Sequence, residues 1–301
     1  MVIKRIPYKG QELLPAKRDL IFKALFATGS DLELLASLLS SILDVELQSD
    51  SLIVTNAELA PVHEKGKLSR IDVRVRLSDG KQINIEIQLR NEHDMKSRSI
   101  FYLSKLYVEQ LAPRMEFIET NPVIAVNILD FKVLPDKEYH NRYRLKNMRN
   151  NEELTDLFEI NFLELSKIPP EPDGSMKDLW MRFLSAKTEE ELDMLAEKSP
   201  VLEKAVHRLV QISADEKLRY ELEMREKAEI DYWSAMKTNY RKGEEKGIKK
   251  GRKEGRLEGI EQGKLAIAEN MLKRNRPIDE IIEDTGLTRK QVEGLRKPAA
   301  D

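Results

Sequence analysis

An α/β core followed by an all-helical C-terminal extension is the fold class this sequence predicts. Three observations carry the prediction. Residues 71–77 and 83–89 alternate apolar and polar side chains, the period-two pattern of strands with one apolar face. Val123–Leu129 is a short, nearly continuous apolar run, typical of a buried central strand. Beyond Ile168-Pro169-Pro170-Glu171-Pro172-Asp173-Gly174 strand patterns cease, and residues 179–240 are rich in Glu, Lys, Leu and Ala, which favour helix. Mixed strands and helices followed by helices alone indicate an α/β unit with a helical appendage.

The elements follow in order. Residues 18–27 read as a helix with Leu20, Phe22, Leu25 and Phe26 mostly on one side. Asp31 is placed to cap a second helix, in which Leu34, Leu35, Leu38, Leu39, Ile42 and Leu43 keep helical spacing. Residues 52–59 read as a strand. Ser78-Asp79-Gly80, between the alternating segments, suits a three-residue hairpin loop with Gly80 in the left-handed region. Residues 97–111 read as helix and Pro113 as its breaker, because an interior proline removes a backbone donor. Further strands are expected at 143–145 and 157–165.

Residues 241–264 differ in kind. Gly243, Gly247, Gly251, Gly255, Gly259 and Gly263 recur every fourth residue among Lys, Arg and Glu. Each glycine costs a helix about 1 kcal/mol relative to alanine, so a marginal helix, ordered only when packed, is expected. Globular patterning then returns. Ile267, Met271 and Leu272 suit one helix, Pro277 opens a second, and Thr288 caps a third after the Thr285-Gly286-Leu287 turn. The expected organisation is a core over 1–168, a helical extension over 169–240, a glycine-repeat charged linker or helix over 241–264, and a small helix-turn-helix-like unit over 265–301.

Composition narrows the function. Lys and Arg number 51 against 53 Asp and Glu, so net charge gives no sign of a nucleic-acid partner. The absence of cysteine excludes disulfides, a thiolate zinc site and a cysteine nucleophile. His63, His93, His140 and His207 are scattered, with no pair at zinc-ligand spacing. Neither a Gly-x-Ser-x-Gly elbow nor a phosphate-binding Gly-x-x-x-x-Gly-Lys-Ser/Thr loop occurs. The N-terminus lacks the apolar run of a signal peptide, and no stretch is apolar enough for a bilayer. A bacterial cytoplasm is the expected compartment, with no membrane partner.

The candidate chemistry lies on the hairpin. Apolar residues take the odd positions of both segments, so Asp72, Glu86 and Gln88 all leave the apolar face. A three-residue loop sets Leu77 opposite Lys81 and hence Asp72 opposite Glu86. Facing side chains lie about 5 Å apart at Cβ, where two carboxylates repel unless a cation sits between them. Oxygen-only ligation favours Mg2+ or Mn2+. Gln88 shares that face and can orient a water or a phosphate oxygen, but it lacks the charge a lysine would bring. The same pattern also fits the solvated face of an ordinary amphipathic hairpin.

Several short matches keep order and spacing: Asp19-Leu20-Ile21-Phe22-Lys23, Arg70-Ile71-Asp72, Asn84-Ile85-Glu86-Ile87-Gln88, Arg98 with Tyr102 and Ser104-Lys105-Leu106-Tyr107, Thr155-Asp156-Leu157, Glu164-Leu165-Ser166-Lys167 and Trp180-Met181-Arg182-Phe183-Leu184. Together with the glycine-repeat tail they resemble the Rpn family of recombination-promoting nucleases, transposase-like members of the PD-(D/E)XK superfamily. The resemblance implies a restriction-endonuclease-like mixed sheet flanked by helices and magnesium-dependent cleavage of DNA. It makes Asp72 and Glu86 the metal-binding acids and Gln88 the third catalytic position. Asp19 matches the acid before Phe-Lys and is expected to support the site. Arg98 and Tyr102, four apart, are expected to face the site from one helix, with Arg98 and Lys105 neutralising phosphate charge. Arg114 and Phe117 stand where the family often has glycine and tyrosine, which leaves any substrate contact from that segment open.

The tail leaves alternatives. Residues 241–264 carry more Lys and Arg than Glu, consistent with phosphate contact or with a solvated spacer. The last helix presents Arg289, Lys290, Gln291 and Arg296 to DNA if it enters a major groove, or belongs to a small packing or homo-oligomerisation unit. A catalytically silent DNA-binding or oligomerisation protein on a nuclease fold is therefore the competing expectation.

Overall fold

The computed structural model describes residues 5–28, 32–55, 58–59, 69–70, 72–111 and 116–295. Asp31, His63, Ile71, Pro113, Arg114 and Arg296 lie outside the described residues, and with them the expectations they carry. The chain forms two compact units, 1–226 and 227–301.

The first unit opens with a hairpin that period-two reading misses. Strands β1 (Ile6–Tyr8) and β2 (Gln11–Leu13) have three residues each, too few to show alternation. They pair antiparallel around Lys9 and Gly10, both at positive φ. Helices α1 (Asp19–Phe26) and α2 (Glu33–Leu43) follow. Strand β3 (Leu52–Thr55) is shorter than expected, and the two-residue strands β4 (Glu58–Leu59) and β5 (Ser69–Arg70) pair with each other. Then come β6 (Val73–Leu77), β7 (Gln82–Gln88), α3 (Met95–Val108), β8 (Val123–Leu129), β9 (His140–Lys146) and β10 (Glu153–Glu164). Helices α4 (Met176–Ser185), α5 (Glu189–Lys198) and α6 (Pro200–Ala214) complete the unit with the start of α7 (Glu216–Lys273).

Six strands form one mixed sheet in the order β3-β6-β7-β8-β10-β9. β3, β6 and β7 run antiparallel, β7, β8 and β10 run parallel, and β9 closes the far edge antiparallel to β10. All seven residues of β8 are buried, as its uninterrupted apolar run requires of a strand covered on both faces.

One face carries the main core, where Ile83, Ile85 and Ile87 of β7 and Ile124, Val126 and Ile128 of β8 join Phe22 and Phe26 of α1 and Leu35, Leu38 and Leu39 of α2. Trp180 and Phe183 of α4 and Leu202 and Leu209 of α6 belong to the same core. Trp180 meets the Phe26 and Phe183 rings edge-on at 5.5 and 5.6 Å, and its indole N–H donates to Ser37 Oγ at 3.1 Å. The helices beyond the proline-rich turn thus fold back onto α1 and α2. The opposite face is covered by α3, whose Tyr102, Leu103 and Leu106 pack on Val123 and Ala125 of β8.

In the second unit α7 contains all six periodic glycines, and a Cβ added at any of them would meet nothing within 4 Å. Residues 241–263 are exposed and helical. The strong helix formers Lys, Arg and Glu between the glycines, with a Lys250–Glu254 pair one turn apart at 3.7 Å, favour the helix. Beyond it, α8 (Ile278–Thr285) ends at Gly286, which is left-handed at φ 64, and α9 (Arg289–Gly294) starts from a Thr288–Gln291 capping box. Ala268, Ile281, Leu287 and Val292 form their small core. Among the described residues no helix is long and apolar enough to cross a membrane.

Candidate active site

The hairpin register places the two acids. Val73 pairs with Ile85 and Val75 with Ile83, and Gly80 takes φ 89 in the loop. The Leu77 N–H donates to Lys81 O at 2.8 Å, closing the turn. The same register carried one step past Val73 and Ile85 sets Asp72, just before β6, opposite Glu86. Asp72 is held from two sides: the Ile87 N–H donates to Oδ2 at 3.0 Å, and the Lys23 ammonium donates to Oδ1 at 3.1 Å.

Glu86 sits under α3 and is only 1% exposed. Neither carboxylate oxygen has a hydrogen-bond partner, and the nearest cation is the Arg98 guanidinium, whose Nη2 lies 3.5 Å from Oε2 without hydrogen-bond alignment. Burial, and then the facing Asp72 carboxylate, push the Glu86 pKa up to about 8, while Arg98 opposes the rise. At neutral pH Glu86 therefore holds a proton unless a cation replaces it.

Helix α3 brings the cation and its supports. With the Gln88 amide turned so that its oxygen faces Arg98, that oxygen accepts from Nη1 at 3.2 Å and Nη2 at 3.1 Å. The guanidinium carbon lies 5.6 Å from the Tyr102 ring centre. Burial and the nearby Glu86 raise the Tyr102 phenol above its ordinary value, so it keeps its proton. Asn84, two residues before Glu86 on β7, is fully buried with both amide atoms unpartnered. Asn127, opposite Glu86 on β8, accepts from Ser99 Oγ of α3 at 2.9 Å and donates to Asn161 O at 3.1 Å. A buried polar layer thus runs between the sheet and α3, in place of the open solvated face that alternation alone allows.

The structure brings together Asp72, Glu86, Gln88, Arg98 and Tyr102. It adds Lys23, 49 residues before Asp72 in sequence, whose only sequence signal is its place in Asp19-Leu20-Ile21-Phe22-Lys23. Asp19 begins α1, one turn from Lys23, and its Oδ2 accepts from Arg225 Nη1 at 2.8 Å. Lys105 is a buried residue of α3 with its ammonium 5.7 Å from the Phe101 ring centre. Phe117 lies exposed in a 3-10 turn. In the second unit Arg289 pairs with Asp279, while Gln291 closes the Thr288 capping box and donates to Glu261 Oε1 at 3.4 Å. Lys290 is exposed.

The donor set suits a hard divalent cation. Two carboxylates adjoin across the hairpin, one buried and without a well-aligned hydrogen bond, and one with an ammonium already at an oxygen. Among the described residues no cluster of three or more His, Cys, Asp or Glu forms, so water and substrate oxygens would complete the shell. Magnesium, which keeps several waters and takes one or two carboxylates, has this requirement.

The model of the PD-(D/E)XK nuclease family transposases matches residues 16–239, a span that contains the whole six-stranded sheet, the hairpin and α3. No curated protein and no solved structure matches the chain. With most of its length matched and a six-stranded mixed sheet flanked by helices, the chain belongs to the PD-(D/E)XK nuclease family transposases.

Proposed function

We propose that this protein is a magnesium-dependent DNA endonuclease that hydrolyses phosphodiester bonds and promotes recombination, acting in the bacterial cytoplasm. The observation that carries the reading is Glu86: a buried carboxylate with no well-aligned hydrogen bond and Arg98 Nη2 at 3.5 Å, one step past the Val73–Ile85 pair that adjoins Asp72. A folded protein keeps such a costly group where a ligand repays it, and a cation between the acids does so. Family membership supplies the nuclease class.

Asp72 and Glu86 would hold the ion, and manganese would suit the same oxygen donors. When bound, magnesium lowers the pKa of a water and offsets charge on the scissile phosphate. The rest is work of the chain. The Ile87 N–H fixes Asp72, so the carboxylate is set before substrate arrives. The Gln88 oxygen holds the Arg98 fork, which leaves the amide N–H group to orient a water or a phosphate oxygen. Arg98, stacked near Tyr102, presents a planar pair of donors suited to a phosphate. Lys290 and the basic stretch of α7 add sequence-independent contact to the duplex. The C-terminal unit would also join copies of the chain in a homo-oligomer.

DNA cleavage by purified protein tests the reading. Asp72→Ala should abolish cutting while the melting temperature stays within a few degrees of wild type. Cutting retained in Asp72→Ala contradicts the assignment. Metal-independent DNA binding without any cleavage favours the silent binding protein.

A further inference from the structure

We propose that Lys23, presented by α1, is a second phosphate-facing cation of this site beside Arg98 and takes the role that a lysine at position 88 would fill. The proposal rests on the reading of Asp72 and Glu86 as the acids of a nuclease. Position 88 is glutamine, which shares the face of Glu86 but carries no charge. Arg98 approaches from α3, beside Glu86, Gln88 and the Tyr102 ring, and so serves the Glu86 side of the site. Lys23 is the cation that reaches the other acid, with its Nζ 3.1 Å from Asp72 Oδ1.

Three features suit it to the task. Its side chain meets Asp72 and is still 28% exposed, so an incoming strand can reach it. An ammonium has three N–H donors, and among the described residues the contact with Asp72 uses one, which leaves donors for a phosphate oxygen. Its base is rigid: Ile21, Phe22, Leu25 and Phe26 of the same helix are buried in the main core, next to Ile85 and Ile87 of β7. A catalytic cation needs this combination of a fixed root and a short mobile tip. Lys23 and the Ile87 N–H also bracket one carboxylate, so the ammonium is held at the same end of β7 as Gln88.

Lys23→Met, Lys23→Arg and the double variant Lys23→Met/Gln88→Lys test the proposal. Each is compared with wild type for cleavage of a plasmid over a magnesium titration, for melting temperature, and for the salt dependence of binding to a short duplex in calcium. Lys23→Met should melt within a few degrees of wild type yet lose about 100-fold or more in rate, with the loss persisting at saturating magnesium. Its slope of log affinity against log salt should fall by about one ion. Lys23→Arg should keep part of the rate, and the double variant should regain at least tenfold, because the charge is returned from the same end of β7. A Lys23→Met rate within threefold of wild type overturns the proposal. So does a loss that vanishes at saturating magnesium, which would leave Lys23 only steadying Asp72. A wild-type protein that cuts nothing under any metal overturns the nuclease reading itself, and the untouched wild-type control tells that failure apart.

Discussion

Glu86→Gln removes a charge that the metal-free protein cannot solvate, and its effect on stability has a calculable sign. Glu86 is 1% exposed, and its pKa rises from the ordinary 4.5 to about 8, chiefly through burial and next through Asp72. The folded protein therefore keeps this proton up to about pH 8, whereas the unfolded chain releases it near 4.5. Between those values the folded state binds more protons, so stability falls as pH rises and the loss is complete above 8. A rise of that size corresponds to a ceiling of about 5 kcal/mol. Glutamine keeps a buried amide to satisfy and water entry relieves part of the charge, so about 2 kcal/mol is the expected gain at pH 8. At about 2–4 °C per kcal/mol for a unit of this size, Glu86→Gln should melt about 4–8 °C above wild type at pH 8 in EDTA. At pH 5 the two proteins should melt together. Magnesium should then raise the melting temperature of wild type and not of the variant, since only wild type gains from binding the ion. Melting curves that differ by the same amount at both pH values would refute the reasoning.

Other expectations follow from packing and backbone. Gly80→Ala sets a Cβ 2.6 Å from Asn121 Oδ1 at φ 89, and should cost about 1–3 kcal/mol in denaturant unfolding with cleavage reduced through the shifted hairpin. Unchanged stability would mean the loop does not hold the register. Trp180→Ala empties a fully buried site between Phe26 and Phe183 and should cost about 3–5 kcal/mol across the first unit, in one cooperative transition. A separate early transition would show that α4 melts independently of the sheet. Gly251→Ala meets open space and should stabilise α7 by about 1 kcal/mol, seen as increased helicity by circular dichroism. Lost helicity would show the glycine edge pressed against a partner in solution.

The hairpin was legible because two rules constrain it together. Period two sorts Asp72, Glu86 and Gln88 onto one face, and a three-residue loop ending in Gly80 leaves one register, the one in which Val73 meets Ile85. The burial of Glu86 was not legible. Alternation says only that Glu86 leaves the apolar face, while the lid over it comes from α3, whose path over the sheet no local pattern encodes. Lys23 escaped for a related reason: a residue of the first helix meets Asp72 only once α1 docks on β7. Asp19, beside it in the motif, starts α1 and meets Arg225. The proline-rich turn after Ile168 is a change of composition, but Trp180 and Phe183 beyond it return to the core of the sheet. Amphipathic spacing shows that a helix has a face to bury and does not show against what.

Nicking of a supercoiled plasmid by purified wild-type protein and Glu86→Ala, in parallel with magnesium and with EDTA, tests the central claim most directly. Wild type should convert the plasmid to open-circular and linear forms with magnesium alone, and Glu86→Ala should do so in neither condition. Cleavage that survives EDTA or the loss of Glu86 would contradict it.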